Sequence, residues 1–549
     1  MTISTKTDHP LHWAHPLVRE WFLNKLGLPS EPQKQGWPPI LAGETTLISA
    51  PTGSGKTLAA FLACIDQLVR KALANELINE TEVLYISPLK ALGNDIQKNL
   101  MNPLNEISEL AGAQGLKMSE IRVAVRTGDT PAKERQAMPK KPPHILVTTP
   151  ESLYILLTAV KSRQMLMKVK TVIVDEIHAL ADDKRGAHLS LSLERLEHLT
   201  QHSPLRIGLS ATQKPLELVA NFLTGNHRAK AEIINIGHAK HLELAVEVPK
   251  SELTAVASNQ IWDEIYDRIA ELTKQNRSTL IFANTRRTAE RAAHHLAERL
   301  GKDQVAAHHG SLSRKLRLAA ETKLKNGELK ALVATASLEL GIDIGTVDLV
   351  CQLGSPRSIA VMLQRVGRAG HWQGAISKGR IFATTRDELL ESAALVHAIQ
   401  EGELDQLIIP KEPIDILAQQ LVATCATGDW YEDDLFTLVK QAYPYANLAR
   451  ETFNTVLAML SEGIAGSRGR YSAYLFRDRI NGLVKARRGS RLTAITSGGA
   501  IPDNGLFTVI AEPADTTVGT LDEDFAVESN RGDVILLGST SWKIKRIET

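Results

Sequence analysis

The sequence predicts an α/β protein with two parallel-sheet domains in tandem, then a helical domain carrying a basic hairpin, then short strands. Three observations lead there. Short apolar runs bounded by Pro, Gly, Thr or Asp alternate with long amphipathic stretches through residues 40–240, the pattern of buried parallel strands and their crossover helices. The same alternation restarts after Pro249. From about Pro413 the apolar spacing becomes helical.

In the first domain, strands are expected at Thr46–Ala50, Val83–Ser87, Arg122–Arg126, Ile145–Thr148, Val172–Val174 and Arg206–Leu209, and Leu58–Leu73 is an amphipathic helix. Lys230–Pro249 reads as strands leading to a connector. The second set is Thr279–Ala283, Gln304–His308, Ala331–Ala334, Leu349–Gln352 and Arg380–Thr384. Ile414, Leu417, Leu421 and Cys425 follow helical spacing, as do Phe453, Val456, Leu457 and Leu460. Asp429, ahead of Trp430 and three acidic residues, marks a helix start. Asn481–Thr496 carries Lys485, Arg487, Arg488 and Arg491 among alternating apolar residues, so helices followed by a basic hairpin predict a winged helix. Leu506–Ile510, Thr517–Thr520, Val534–Leu537 and Ser541–Ile547 read as strands. About 50 residues are few for an independent domain, so the start of a β-rich one is expected. The expected domains are 1–240, 241–405, 406–500 and 501–549.

A chain of 549 residues exceeds one ordinary core. Its 43% hydrophobic and 23% charged content is globular, against disorder, collagen and coiled coil. Lysine plus arginine is 64 against 62 acidic residues, a net +2, so any basic track is local. Cys64, Cys351 and Cys425 lie far apart in apolar surroundings, which predicts buried packing and a reducing compartment. Met1–Pro10 has no signal-peptide core, and no apolar run reaches the roughly 18 residues of a membrane span. A soluble cytoplasmic protein is expected.

Ala50-Pro51-Thr52-Gly53-Ser54-Gly55-Lys56-Thr57 follows the first strand and opens a helix. It departs from GxxxxGK[ST] only in Ala50. Such a loop holds phosphates through backbone N–H groups that Gly53 and Gly55 let approach, aided by the helix N-terminus. Thr52, Gly53, Ser54 and Gly55 form the cradle, Lys56 is expected to reach the β/γ-phosphates, and Thr57 to bind Mg²⁺. Asp175-Glu176-Ile177-His178 ends a strand. Asp175 at that position can hold Mg²⁺, and Glu176 can orient and deprotonate an attacking water. His178 has no second histidine at ligand spacing, which favours coupling over metal binding. The Gln33 amide, twenty residues before Gly53, matches the donor–acceptor edge of adenine.

These motifs resemble the superfamily 2 helicases of DExH type over most of the first 375 residues. Ser87–Leu92 resembles motif Ia, Arg126–Thr130 a TGD loop, Thr148–Leu153 motif Ib and Ser210-Ala211-Thr212 motif III. Ile281–Arg286 resembles motif IV, His308–Leu312 motif IVa, Thr335–Asp343 motif V and Gln364–His371 motif VI. Ser87–Leu92, Arg185–His188, Gly367–His371, Tyr443–Tyr445, Gly498–Asp503 and Gly519–Ser529 are similar to the Lhr (large helicase-related) family.

The resemblance implies two RecA-like P-loop domains in tandem, a winged helix and a further β-rich domain. It also implies ATP-driven 3′→5′ translocation on single-stranded DNA, and unwinding of duplexes including RNA:DNA hybrids, with DNA repair as the setting. By the same resemblance Lys56, Asp175, Glu176, Gln364, Arg365 and Arg368 carry catalysis, and Gly341 and Asp343 approach the ribose. His178, Ser210 and Thr212 couple the nucleotide to the second domain, with His178 bonding Gln364. Thr127, Thr149, Thr285, Arg286 and Thr335 touch the strand backbone, which positions without reading sequence. Lys485, Arg487, Arg488 and Arg491 extend that track or form a solvated hairpin face, and Ile501 is either a wedge between bases or an ordinary turn residue. His371 stands where many such enzymes have arginine, and the residues past 500 are fewer than the family's fourth domain needs. The competing reading is an ATP-gated clamp that binds nucleic acid without processive unwinding. A metabolic P-loop kinase explains neither the second α/β half nor Arg365 and Arg368, and no second carboxylate cluster supports a nuclease.

Overall fold

The computed structural model describes residues 9–547 except 52, 89–95, 212, 238–241, 256, 340–344, 371–375, 467–468, 472, 501–505, 514–515, 523–531, 533 and 538–539. The chain forms two compact units. One is built from the residues up to Ala50, Ser54–Gly237 and Gln406–Ile501, the other from Pro51–Gly53, His238–Asp405 and Pro502–Thr549. The four consecutive domains expected from sequence thus pair up: the helical domain joins the first sheet, and the last strands join the second.

The first unit holds a seven-stranded parallel sheet in the order β3-β4-β2-β5-β6-β1-β7. Its strands are β1 Thr46–Ser49, β2 Val83–Ile86, β3 Val123–Arg126, β4 Ile145–Thr148, β5 Thr171–Val174, β6 Leu205–Ser210 and β7 Glu232–Asn235. Parallel register puts the carboxyl ends of β1, β2, β5 and β6 on one edge. The central strands are fully buried and rich in Val, Ile and Leu, because helices cover both faces. The second unit holds β8 Leu242–Glu247, β9 Thr279–Ala283, β10 Val305–His308, β11 Ala331–Ala334, β12 Leu349–Leu353 and β13 Ser377–Phe382, ordered β10-β11-β9-β12-β13-β8 and all parallel. The stretch Lys230–Pro249 divides between the sheets: β7 closes the first and β8 edges the second.

The helical domain contains Ile414–Cys425, Glu432–Gln441 and Arg450–Glu462. Trp430–Tyr431 is a short strand paired with Leu483–Val484, so the acidic helix begins at Glu432, later than Asp429 marks it. The hairpin is Leu475–Asp478 against Leu483–Ala486. It ends before Arg491, because Gly489 takes the left-handed conformation (φ +95°) and opens a helix, Ser490–Thr496. The expected basic hairpin is therefore a strand followed by a helix.

The helical domain and the first sheet share one core, where Tyr154, Ala187 and Leu191 pack with Ile416, Leu417 and Leu421. A buried arginine fixes its polar seam. Arg195 donates to Gln420 Oε1 (2.8 Å), Thr158 Oγ1 (3.2 Å) and the Ala423 carbonyl (3.3 Å). Gln420 in turn donates to the His188 carbonyl (2.9 Å) and Ser192 Oγ (3.0 Å). Burial pushes the Arg195 guanidinium down to about 10. In the second unit, the Thr520 N–H donates to the Ser311 carbonyl (3.3 Å), and a Cβ at Gly519 would lie 1.8 Å from that same oxygen. No helix among the described residues is long and apolar enough to cross a membrane.

Two outcomes follow from the seam. Gln420→Ala leaves an Arg195 donor buried without its acceptor, which costs about 1–3 kcal/mol, and urea unfolding of the variant against the parent measures it. His188 is buried against the Tyr154 ring, and burial pushes its imidazole down to about 4 from 6.5. The unfolded chain therefore binds a proton that the folded chain refuses. This share of stability is complete above about pH 6.5 and is lost as the pH falls toward 4, at about 1.4 kcal/mol per pH unit. Unfolding midpoints between pH 7 and 4 should fall less steeply in His188→Gln than in the parent.

Candidate nucleotide site and strand-binding residues

The loop after β1 turns on two left-handed glycines, Gly53 (φ +80°) and Gly55 (φ +89°), and delivers the chain into the helix Lys56–Leu73. A Cβ at Gly55 would lie 2.8 Å from Gln33 Nε2, so only glycine fits. Gln33 closes a capping box on Ser30: its Oε1 accepts the Ser30 N–H (2.9 Å) and its Nε2 donates to the Gly55 carbonyl (3.3 Å). The Nε2 end of the amide expected to pair with adenine thus braces the phosphate loop, and the Oε1 end holds Ser30. Among the described residues, Ser54 Oγ is buried without a hydrogen-bond partner. A hydroxyl orphaned at a helix N-terminus matches a phosphate oxygen. Thr57, half-buried, occupies the first turn of the helix.

The strand end after β5 supplies the acids. Asp175 Oδ1 accepts the Glu176 N–H (2.9 Å), and Asp175 Oδ2 accepts the Tyr85 hydroxyl. Glu176 has φ +46°, a left-handed conformation unusual for a residue with a side chain. Its carboxylate lies 3.8 Å from Lys56 Nζ and 3.6 Å from His178 Nδ1. All four residues, Lys56, Asp175, Glu176 and His178, are buried. His178 Nδ1 accepts the Ala211 N–H (3.2 Å) and sits 3.2 Å from Ser210 Oγ at the end of β6. Burial pushes His178 down to about 4, with Lys56 assisting against Glu176, so the ring is neutral at physiological pH. The first unit thus gathers Gln33, Gly55, Lys56, Asp175, Glu176, His178 and Ser210 at one sheet edge. Tyr85 was not legible as a site residue, because an aromatic in an apolar strand reads as core.

In the second unit, Gln364 and Arg365 lie on the helix Ile359–Val366, and Arg368 follows it. Arg365 is held inside its own unit by an ion pair with Glu339, by Gln352 Oε1 (2.5 Å) and by the face of Phe282 (5.0 Å to the centroid). These contacts make it a brace between segments of the second unit. Arg368 donates to the Glu339 carbonyl (2.8 and 3.2 Å). Sequence reasoning missed Glu339 and Gln352; Glu339 stands between Leu338 and Leu340 with only its charge to mark it.

The expected strand contacts share a backbone role. Thr149 caps the helix Pro150–Thr158 by accepting the Ser152 N–H (3.3 Å). Thr285 caps Arg286–Leu300 through the Thr288 N–H (3.1 Å), and Thr335 precedes a short 3-10 turn. Thr127 accepts the Asp129 N–H (3.3 Å) within its turn. Arg286 opens the helix that Thr285 caps. Of the basic cluster, Lys485 pairs with Asp429 (2.6 Å). Arg487 donates to the Leu475 and Ser461 carbonyls, and Arg491 to the Ala426 carbonyl. Arg487 and Arg491 thus tie segments of the domain, and they are exposed, as is Arg488. Thr52, Thr212, Gly341, Asp343, His371 and Ile501 lie outside the described residues.

Comparison with known proteins agrees with this geometry. Residues 30–219 match the DEAD/DEAH box helicase domain, and 260–373 the helicase conserved C-terminal domain. Residues 397–549 match the winged helix domain of the large helicase-related protein. The chain is 45% identical to the ATP-dependent helicase Lhr-Core protein 2 of Thermococcus barophilus, covering 96% of this chain and 62% of that protein. It is 44% identical to the Lhr helicase/probable uracil glycosylase of Mycolicibacterium smegmatis, covering 99% of this chain but only 38% of that one. The chain therefore spans roughly two-fifths to three-fifths of the length of these relatives. Among solved structures, the Mycobacterium smegmatis helicase Lhr bound to ssDNA and AMP-PNP superposes with a TM-score of 0.84 at 44% identity, covering 96% of this chain and 67% of that chain. With two tandem helicase domains, the Lhr winged helix and this identity along almost its whole length, the chain belongs to the Lhr (large helicase-related) helicase family.

Proposed function

We propose that this chain is an ATP-dependent motor that moves 3′→5′ on single-stranded DNA and separates duplexes, RNA:DNA hybrids included. The observation that carries the reading is the buried Lys56–Glu176–His178 cluster beside the orphaned Ser54 hydroxyl. ATP phosphates are held by the loop N–H groups, Ser54 and Lys56. Thr57 and Asp175 hold Mg²⁺, which when bound neutralises phosphate charge and orients the γ-phosphate. Lys56 is partnered by Glu176 at 3.8 Å. A γ-phosphate competes for the ammonium, and the freed Glu176 carboxylate then takes the proton of the attacking water. Arg368 stabilises the developing charge, while Arg365, held by Glu339, keeps the arginine segment in shape. Threonine caps and helix N-termini hold the strand by its phosphates, so binding is indifferent to sequence. The Lhr structure bound to ssDNA and AMP-PNP supports DNA as the track. Three free, buried cysteines accord with a reducing cytoplasm, and DNA repair is the setting we propose.

The test is ATP hydrolysis with and without single-stranded DNA or RNA, alongside strand displacement. Stimulation by DNA with 3′→5′ displacement is expected. Hydrolysis and strand binding without displacement would return the clamp reading. Glu176→Gln should abolish turnover while ATP still binds; retained turnover removes Glu176 as the base. Arg368→Ala should lower kcat by about 10³-fold or more, the usual worth of such an arginine, with strand affinity at low salt unchanged. Collapse of strand affinity would move Arg368 to the nucleic-acid track.

A further inference from the structure

Arg185 has no role in the chemistry above, yet its position is among the most constrained in the first unit. Asp183 caps the helix Lys184–Thr200 by accepting the Gly186 N–H at 3.0 Å. A Cβ at Gly186 would lie 1.9 Å from the Leu180 carbonyl oxygen. The start of this helix is therefore pressed against His178–Ala181, the short helix that continues directly from Asp175-Glu176-Ile177. Any displacement of the acidic loop passes to residue 185 with little slack, because packed backbone is stiff.

The Arg185 guanidinium divides between two other loops. Nε donates to Glu151 Oε1 at 2.7 Å, and Nη2 donates to the Pro88 carbonyl at 2.9 Å. Glu151 lies in the first turn of the helix that Thr149 caps, and Pro88 follows Ser87, whose N–H bonds the Thr148 carbonyl. Burial pushes the Glu151 carboxyl up, but the Arg185 charge and its hydrogen bond outweigh that and hold it below the usual range. Gly499 also approaches this point: a Cβ there would lie 3.4 Å from Glu151 Cγ, and Gln419 donates to the Gly499 carbonyl at 2.7 Å. An exposed ion pair alone contributes little. Here the planar fork joins a carboxylate and a backbone carbonyl on separate loops, which fixes geometry as well as charge.

We propose that Arg185 is the positioning residue that couples the nucleotide loop to the strand-binding loops of the first unit. The assignment rests on the helicase reading. Movement of Asp175–His178 on nucleotide binding shifts the Gly186 contact, and Arg185 carries that shift to Glu151 and Pro88. Occupancy of the nucleotide site thereby changes the grip on the strand.

The experiment is linkage. The Kd of the full chain for a fluorescent oligo-dT strand is measured with and without a non-hydrolysable ATP analogue, in parent, Arg185→Lys and Arg185→Ala. Coupling is the ratio of the two Kd values. A ratio well away from one is expected in the parent. Arg185→Ala should move it about tenfold toward one, as loss of a charge-assisted tie predicts, and Arg185→Lys, which keeps the charge but not the fork, should lie between. A merely structural role would shift both Kd values together and keep the ratio, which overturns the proposal. A parent ratio of one overturns it as well. Failure of the parent to bind the strand at all removes the helicase reading along with it, whereas strand binding with an unchanged ratio in Arg185→Ala removes only the role of Arg185.

Discussion

The carboxyl edge of the first sheet depends on a single buried ammonium. Lys56 is 5% exposed, and so enclosed a charge persists only beside a counter-charge. Glu176 supplies it at 3.8 Å. The pairing decides the state of the histidine beside it. A charged His178 would compete with Lys56 for the same carboxylate, and both burial and the lysine disfavour that form. The ring is neutral, and because the Ala211 N–H points at Nδ1, that nitrogen carries the lone pair and Nε2 the hydrogen. The tautomer thus fastens the end of β6 to the acidic loop. Formally, Asp175, Glu176 and Lys56 leave one negative charge over, and a divalent cation at Asp175 is the chemistry that excess invites.

Glu176 bears a second constraint. A non-glycine residue at φ +46° costs about 1–3 kcal/mol and persists only where its surroundings over-determine it. Here they do. The Glu176 N–H is bound by Asp175, the next residue's N–H by the Leu209 carbonyl, and the following helix is pressed on Gly186. The strain turns the Glu176 side chain toward Lys56 rather than along the strand. The same clamping that aims the carboxylate also fixes Arg185, so the site that meets phosphate and the loops that carry the strand motifs share one rigid segment.

Much of this was legible in sequence because the chemistry is local. The phosphate loop, the acidic strand end and the sheet strands are contiguous residues whose type and order carry the signal, and β1 to β6 fall within a residue or two of their expected bounds. What escaped has sequence-distant partners. Nothing near Gln33 in the chain says that its amide will brace Gly55. Nothing near Arg365 in the chain says that Glu339 and Gln352 will hold it. The hairpin was drawn too long because the basic run from Lys485 to Arg491 carries straight across Gly489, and only the left-handed turn there and the Ala426 carbonyl met by Arg491 mark its end. Tyr85 was hidden by the reverse problem: its polar tip serves Asp175 while its ring stacks on Phe61.

The attachment of the helical domain rests on guanidinium groups that bond neutral acceptors. Arg195, buried at the seam, is met by a glutamine, a threonine and a backbone carbonyl, with no carboxylate among these acceptors. Neutral acceptors hold it through direction rather than charge, so the seam tolerates little rotation and feels little salt. Arg487 and Arg491 behave alike, each bonding backbone carbonyls within the same unit. A guanidinium used this way fixes where a helix or strand ends, although both of these side chains remain exposed. Under the function proposed above, phosphate affinity rests on the capped helix N-termini at Thr149 and Thr285, whose partial charges are independent of lysine and arginine counts.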